Sequence, residues 1–277
     1  MIRILCGVLG CLLLPVLQAQ EPVAGMYELR VYTVQPEKLQ ATHTFISQVA
    51  LPYLNKYQLK LIGAWSPVDT GDARIFLLVS HESKEACQKN WEALQNDSQW
   101  NRDLEAFHQE GAPVTGITRI FLKTWDYSPR MTPAVVGNRL FELRTYLASE
   151  GNLARLNNRF RNHTLKLFEK HGMTNLGYFQ VATDDKLTCG DLMKACSAPG
   201  KDGTGVKPET PADEYALVYF LSHASVEAMQ KSFGSFRVDP AWRSALTESE
   251  KEAGGPLTAK DAVKSLVLRA TDYSPLR

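Results

Sequence analysis

With 277 residues, of which 44% are hydrophobic, the chain is long enough for two domains of ordinary size, each able to bury a core. Its 31 Lys and Arg residues against 30 Asp and Glu leave a formal charge of +1, with both signs interspersed. That balance supplies no field to draw nucleic acid or an anionic membrane surface.

Residues 1–19 read as a signal peptide. Arg3 provides the positive start, Ile4 to Leu14 the apolar stretch, and Leu17-Gln18-Ala19 a small-residue cleavage site. The stretch is short for a membrane span. The expectation is an exported chain, periplasmic or secreted, with no transmembrane segment after signal removal. A lipoprotein acylated at Cys11 is the alternative, but it would cut through the apolar run.

From Met26 to Val34 apolar and polar residues alternate, the pattern of a half-buried strand. Pro36 to Tyr57 changes period, with Leu39, Thr42, Ile46, Val49 and Tyr53 returning every three or four residues as in an amphipathic helix. Leu59 to Ser66 and Arg74 to Ser80 read as strands joined at Gly71-Asp72. Ser83 and Asp97 are placed as helix N-caps, and Ile117 to Trp125 closes the unit as a fourth strand. The order is β-α-β-β-α-β, a ferredoxin-like unit.

After a linker at Met131-Thr132-Pro133-Ala134 the unit repeats from Asn138 to Tyr273. Glu28-Leu29-Arg30 returns as Glu142-Leu143-Arg144 at a shift of 114 (142 − 28). Ser80-His81 returns as Ser222-His223 at 142 (223 − 81), and Asp126-Tyr127-Ser128-Pro129 as Asp272-Tyr273-Ser274-Pro275 at 146 (272 − 126). The increase from 114 to 142 marks an inserted loop at 183–213, rich in Gly and Pro and without a visible hydrophobic period. Repetition of a whole unit fixes the architecture before any chemistry is considered. The fold expected is α+β: two tandem ferredoxin-like domains, 26–130 and 138–277, packed as an α/β barrel, each covering the sheet face that the other leaves bare.

The Glu-Leu-Arg-x-Tyr strand, the Gly63-Ala64-Trp65 strand, and the Asp97…Trp100 and Asp239-Pro240-Ala241-Trp242 segments resemble the NIPSNAP family, in two copies. That resemblance implies membership of the dimeric α/β-barrel superfamily. It leaves further homo-oligomerisation open and implies no particular activity.

If Leu29 and Val31 face the helices, then Glu28, Arg30 and Tyr32, with Glu142, Arg144 and Tyr146, point into the space between the sheets. There a carboxylate and a guanidinium can pair while leaving donors for a ligand. They can equally form structural ion pairs. Lys123 and Arg269 are placed to add positive charge to the same cavity or to line its rim. Tyr32, Tyr146 and His43 are the candidate acids or bases. His81 and His223 are expected to bond to turn backbone. His163 or His171 on the second long helix is a conceivable haem ligand by analogy with related tandem barrels, although no other feature calls for a cofactor and none is assigned. No metal site is assigned either. Cys189 and Cys196, close together in an exported chain, are expected to form a disulfide, and Cys87 to be a small buried residue.

No GxGxxG, P-loop, GxSxG or HExxH pattern occurs. The leading expectation is therefore a binding protein that holds a small anionic or aromatic molecule in a barrel cavity. The alternatives are a cofactor-independent oxygenase or isomerase, or a structural protein that makes contacts through the inserted loop.

Overall fold

The computed structural model describes residues 25–277 apart from 110, 136 and 183–185. The expected signal peptide and the Cys11 alternative lie outside the described residues.

The first half runs β1 (Met26–Val34), a long helix α1 over residues 36–56, β2 (Lys60–Pro67), β3 (Arg74–His81), α2 (Lys84–Gln95), α3 (Ser98–His108) and β4 (Val114–Thr124). The second repeats it with β5 (Leu140–Ala148), a long helix α4 over residues 153–170, β6 (Thr174–Val181), β7 (Ala216–His223), α6 (Val226–Val238), α7 (Pro240–Ala253) and β8 (Thr258–Ala270). A short helix α5 (Cys189–Cys196) is added between β6 and β7. Both long helices pass through a π-helical turn in the middle, Ile46–Ala50 and Phe160–Thr164, at the same shift of 114 (160 − 46).

The eight strands close into one barrel in the order β1-β3-β2-β8-β5-β7-β6-β4. Every neighbouring pair is antiparallel, and the halves join edge to edge at β2–β8 and β4–β6. The two sheets are thus one continuous wall rather than two stacked layers, and joining removes both free edges of each half. An eight-stranded bore is just wide enough to be filled by side chains. Tyr27, Leu29, Val31, Trp65, Phe76, Phe141, Phe179 and Phe220 belong to the single cluster that fills it. Trp65 stacks on Phe220 across the halves, with ring centroids 5.2 Å apart. Gly63 is required by this packing: a Cβ there would lie 2.1 Å from the Trp65 ring, at a point where the β2–β3 register shifts.

Repeated motifs account for how the helices dock. Asp97 caps α3 with its carboxylate and binds Lys56 Nζ and the Tyr57 hydroxyl, both at 2.6 Å. Asp239 caps α7 in the same way and binds Lys170 at 2.6 Å and His171 at 2.8 Å. Each Asp-Tyr-Ser-Pro segment reaches into the opposite half. The Ser128 hydroxyl accepts from the Tyr178 amide at 2.9 Å, and the Ser274 hydroxyl from the Ala64 amide at 2.8 Å.

The insertion is not structureless. Thr188 and Asp191 form a reciprocal capping box that starts α5, whose apolar residues Leu192, Met193 and Cys196 join the bore cluster. Arg74 secures the other end of this helix. It pairs with Asp72 and donates to the carbonyls of Ala195 at 2.7 Å and Ser197 at 2.8 Å, which places a cation at a helix C-terminus. The expected disulfide is corrected here. Cys189 and Cys196 sit at opposite ends of one helix, about 10 Å apart at 1.5 Å per residue, beyond the reach of a disulfide. Both thiols are free and buried. Among the described residues, no helix is long and apolar enough to cross a membrane.

Candidate ligand cavity

Strand alternation puts Glu28, Arg30 and Tyr32 on the opposite face from Leu29 and Val31. The structure reverses the expected orientation. Leu29 and Val31 fill the bore, so the polar triplet faces the helices, and the same holds for Glu142, Arg144 and Tyr146. The reason is dielectric: a closed bore packed with aromatic rings offers no partners to a charge, whereas the layer under the helices does.

Glu28 is fully buried and is the hub of the first half. Its Oε1 accepts from Arg30 Nη1 at 2.9 Å and from Arg119 Nε at 2.6 Å. Its Oε2 accepts from Trp91 Nε1 at 2.7 Å, with His81 Nε2 3.4 Å away. Burial acts to raise the Glu28 pKa, but His81, Arg30 and Arg119 outweigh it and hold the carboxyl at about 2. The Arg30 guanidinium lies 4.0 Å over the Trp91 ring, and its Nε donates to the Tyr32 hydroxyl at 2.9 Å. Among the described residues Arg30 Nη2 makes no hydrogen bond, so it is the open donor of the group.

That donor faces a cavity of about 410 Å³ between the sheet and the helices of the first half. Arg30 and Tyr32 form its polar floor, and Phe45, Ile46, Leu54, Leu77, Trp91 and Trp100 much of its apolar wall. A mostly apolar enclosure of this size with a few convergent polar groups is the usual form of a small-molecule site.

The second half has the same polar triplet and no such cavity among those described. Ile46 becomes Phe160, Leu54 becomes Phe168, Leu77 becomes Tyr219 and Leu94 becomes Phe236, and these rings pack against one another. Tyr178 and Tyr219 stack with centroids 5.0 Å apart. Each nitrogen of Arg144 is engaged: Nη1 on Glu142, Nε on Tyr219 at 2.8 Å and Nη2 on Tyr146 at 3.0 Å. His223 Nε2 lies 2.9 Å from Glu142, and Ser265 donates to the same carboxylate. Glu142, Arg144 and Tyr146 therefore lie under packed rings, whereas Arg30 and Tyr32 of the first-half group border a cavity.

Several sequence candidates fall elsewhere. Lys123 and Arg269 are exposed on the outside of the barrel, Arg269 bonding to Asn138, and neither reaches a cavity with Glu28 or Glu142. Arg119, four residues before Lys123, is the cation that does reach Glu28. Ser265 replaces it in the second copy (265 − 119 = 146), so pairing the halves hides it from sequence comparison. His43 lies apart from the cavity, between the Tyr273 hydroxyl at 2.8 Å and Ser66 at 3.2 Å. His81 and His223, assigned to turn backbone, instead aim at the two glutamates. Haem ligation does not fit either histidine proposed for it. Both nitrogens of His171 are engaged, with Ser235 and Asp239, and His163 faces a cleft of about 140 Å³, too small for a porphyrin.

Donor atoms of Glu28, His81 and Cys87 lie within 4.8 Å of one another. Their chemistry is poor for a cation. Two guanidiniums already neutralise Glu28. Burial, then the Glu28 charge, push the Cys87 thiol up to about 12, so its thiolate is strongly disfavoured.

The NIPSNAP family model matches residues 27–129. This stretch is a NIPSNAP domain. Solved structures match both halves together. A candidate monooxygenase from Lactobacillus acidophilus is 10% identical with a TM-score of 0.52, over 90% of this chain and 97% of that one. Another from Fusobacterium nucleatum is 12% identical with a TM-score of 0.50, over 90% and 94%. A NIPSNAP family protein from Agrobacterium tumefaciens is 17% identical with a TM-score of 0.34, over 38% of this chain and 96% of that one. At such identities the first two likenesses speak to the fold alone, an α/β barrel, which this chain builds from its own two halves. No curated protein matches the sequence significantly.

Proposed function

We propose that the chain binds a small aromatic anion in the first-half cavity, with its acidic group on Arg30 Nη2 and the Tyr32 hydroxyl and its ring between Trp91 and the α1 side chains. The observation that carries this reading is the contrast between the copies: the same arginine has every nitrogen engaged and is walled in by rings in one half, and keeps Nη2 open above a cavity in the other. A charge-assisted hydrogen bond in that enclosure is worth about 1.5–3 kcal/mol. Titration with 1-naphthoate, followed by tryptophan fluorescence, tests it. Arg30→Met and Ile46→Phe should each weaken binding about tenfold or more; unchanged affinity in Ile46→Phe, which fills the cavity without touching the charges, would overturn it.

A cofactor-independent oxygenase is the second reading. It is favoured by a Tyr32 hydroxyl that accepts from Arg30 and keeps its own hydrogen for a bound substrate, and by a fold shared with proteins carrying monooxygenase names. Oxygen uptake with a small aromatic diol, lost in Tyr32→Phe, would favour it over simple binding. We also propose export with cleavage after Ala19, tested by N-terminal sequencing of the mature protein.

A further inference from the structure

The second half carries a different cleft. In the first half Phe45 and Phe107 stack face to face between α1 and α3, with centroids 4.1 Å apart. Their counterparts are Arg159 (159 − 45 = 114) and Ser249 (249 − 107 = 142), and the apolar contact is replaced by a polar cleft of about 140 Å³ between α4 and α7.

Arg159 is an unusual guanidinium. It is 5% exposed, its Nε is buried without a hydrogen-bond partner, and its nearest acceptors are distant, Ser249 Oγ at 3.4 Å and Glu250 Oε1 at 3.6 Å. Trp242 covers one face at 5.4 Å. A desolvated cation with such loose compensation is costly unless a further group completes it. The cleft walls carry opposite charge: α4 contributes Arg155, Arg159 and His163, and α7 contributes Glu248, Ser249 and Glu252. A simple anion would meet two carboxylates and a simple cation two guanidiniums. A molecule bearing both signs a few bonds apart satisfies each wall. The volume is roughly that of five waters in the liquid.

We propose that this cleft binds a small zwitterion of the α-amino acid class, its carboxylate on Arg159 and Arg155 and its ammonium toward Glu248 and Glu252. The site is independent of the first-half cavity and stands if that reading fails.

Isothermal titration of the full-length mature chain with L-alanine tests it, beside separate titrations with acetate and methylammonium. Alanine should bind saturably, about tenfold or more tighter than either half-ligand. The double variant Arg159→Phe, Ser249→Phe restores the first-half residues and should abolish the signal while remaining folded. Should that variant unfold, Arg155→Gln and Glu252→Gln, both at exposed rim positions, should each weaken alanine several-fold. Absence of saturable heat with alanine overturns the proposal. So does acetate binding as tightly as alanine, which would mark a plain oxyanion site, or alanine affinity unaltered in the rim variants.

Discussion

The Tyr273 hydroxyl lies 2.8 Å from Nδ1 of His43, which fastens the last turn of the second half to the first helix of the first half. Its counterpart Tyr127 donates to Asn157 in the reciprocal crossing. The motif that follows each closing strand therefore works across the duplication, tyrosine on the other half's helix and serine on its strand amide. Tyr127→Phe leaves the buried Asn157 carbonyl without its donor, at a cost of about 1–3 kcal/mol. Thermal unfolding of that variant should show a lowered midpoint with the ferredoxin-like secondary structure intact.

His43 makes the Tyr273 contact sensitive to pH. Burial lowers its pKa below the ordinary 6.5, against the weaker pull of Asp272. The unfolded chain then binds the proton more tightly, so this contribution is complete above pH 6.5 and is lost as pH falls through the folded value. The unfolding midpoint should drop on acidification below pH 6.5, and His43→Asn should flatten that part of the curve.

Glu28 governs the lower acid limb. Its folded pKa of about 2 lies below the ordinary 4.5, so its contribution is present above pH 4.5 and disappears between there and about pH 2. Glu28→Gln leaves Arg30 beneath the helices without its counter-charge and should cost about 3–5 kcal/mol. Urea unfolding at pH 7 measures that loss, and the variant's stability should change less than the parent's between pH 4.5 and pH 2.

Arg74 holds the insertion down. Arg74→Met removes the cation from the α5 carbonyls and leaves Asp72 buried and unpaired. Amide exchange and proteolysis should accelerate over residues 186–213 before they do so in the barrel strands.

The thiols offer a direct check on the insertion helix. Burial is the first cause of the raised thiol pKa values, about 11 for Cys189 and about 12 for Cys196. Native protein should react slowly with a disulfide reagent, and intact mass under non-reducing conditions should show both thiols in the reduced state. A mass two hydrogens lower would contradict the helix.

Sequence alone determined the duplication, the β-α-β-β-α-β order, the helix caps and the family resemblance, because these rest on local periodicity and on motifs that recur in register. The Glu28-Leu29-Arg30-Val31 alternation showed that two faces exist. It could not say which face was the bore, since a packed bore and a helix-covered face are both dry and both take apolar residues. Only closure of the barrel decided that, by joining β2 to β8 and β4 to β6 and filling the centre with Trp65, Phe141 and Phe220. The same holds for Arg119 and Lys123, which share a strand face and differ only in whether α2 and Glu28 lie beneath them. Cys189 and Cys196 looked close as a loop and became distant as a helix, because Thr188, Asp191 and Arg74 satisfy that helix's ends, one of them from 120 residues away in sequence. The open cavity is likewise tertiary: Ile46, Leu54 and Leu77 are ordinary core residues in the chain, and become a cavity wall only where no ring from a neighbouring element comes in to fill the space they leave.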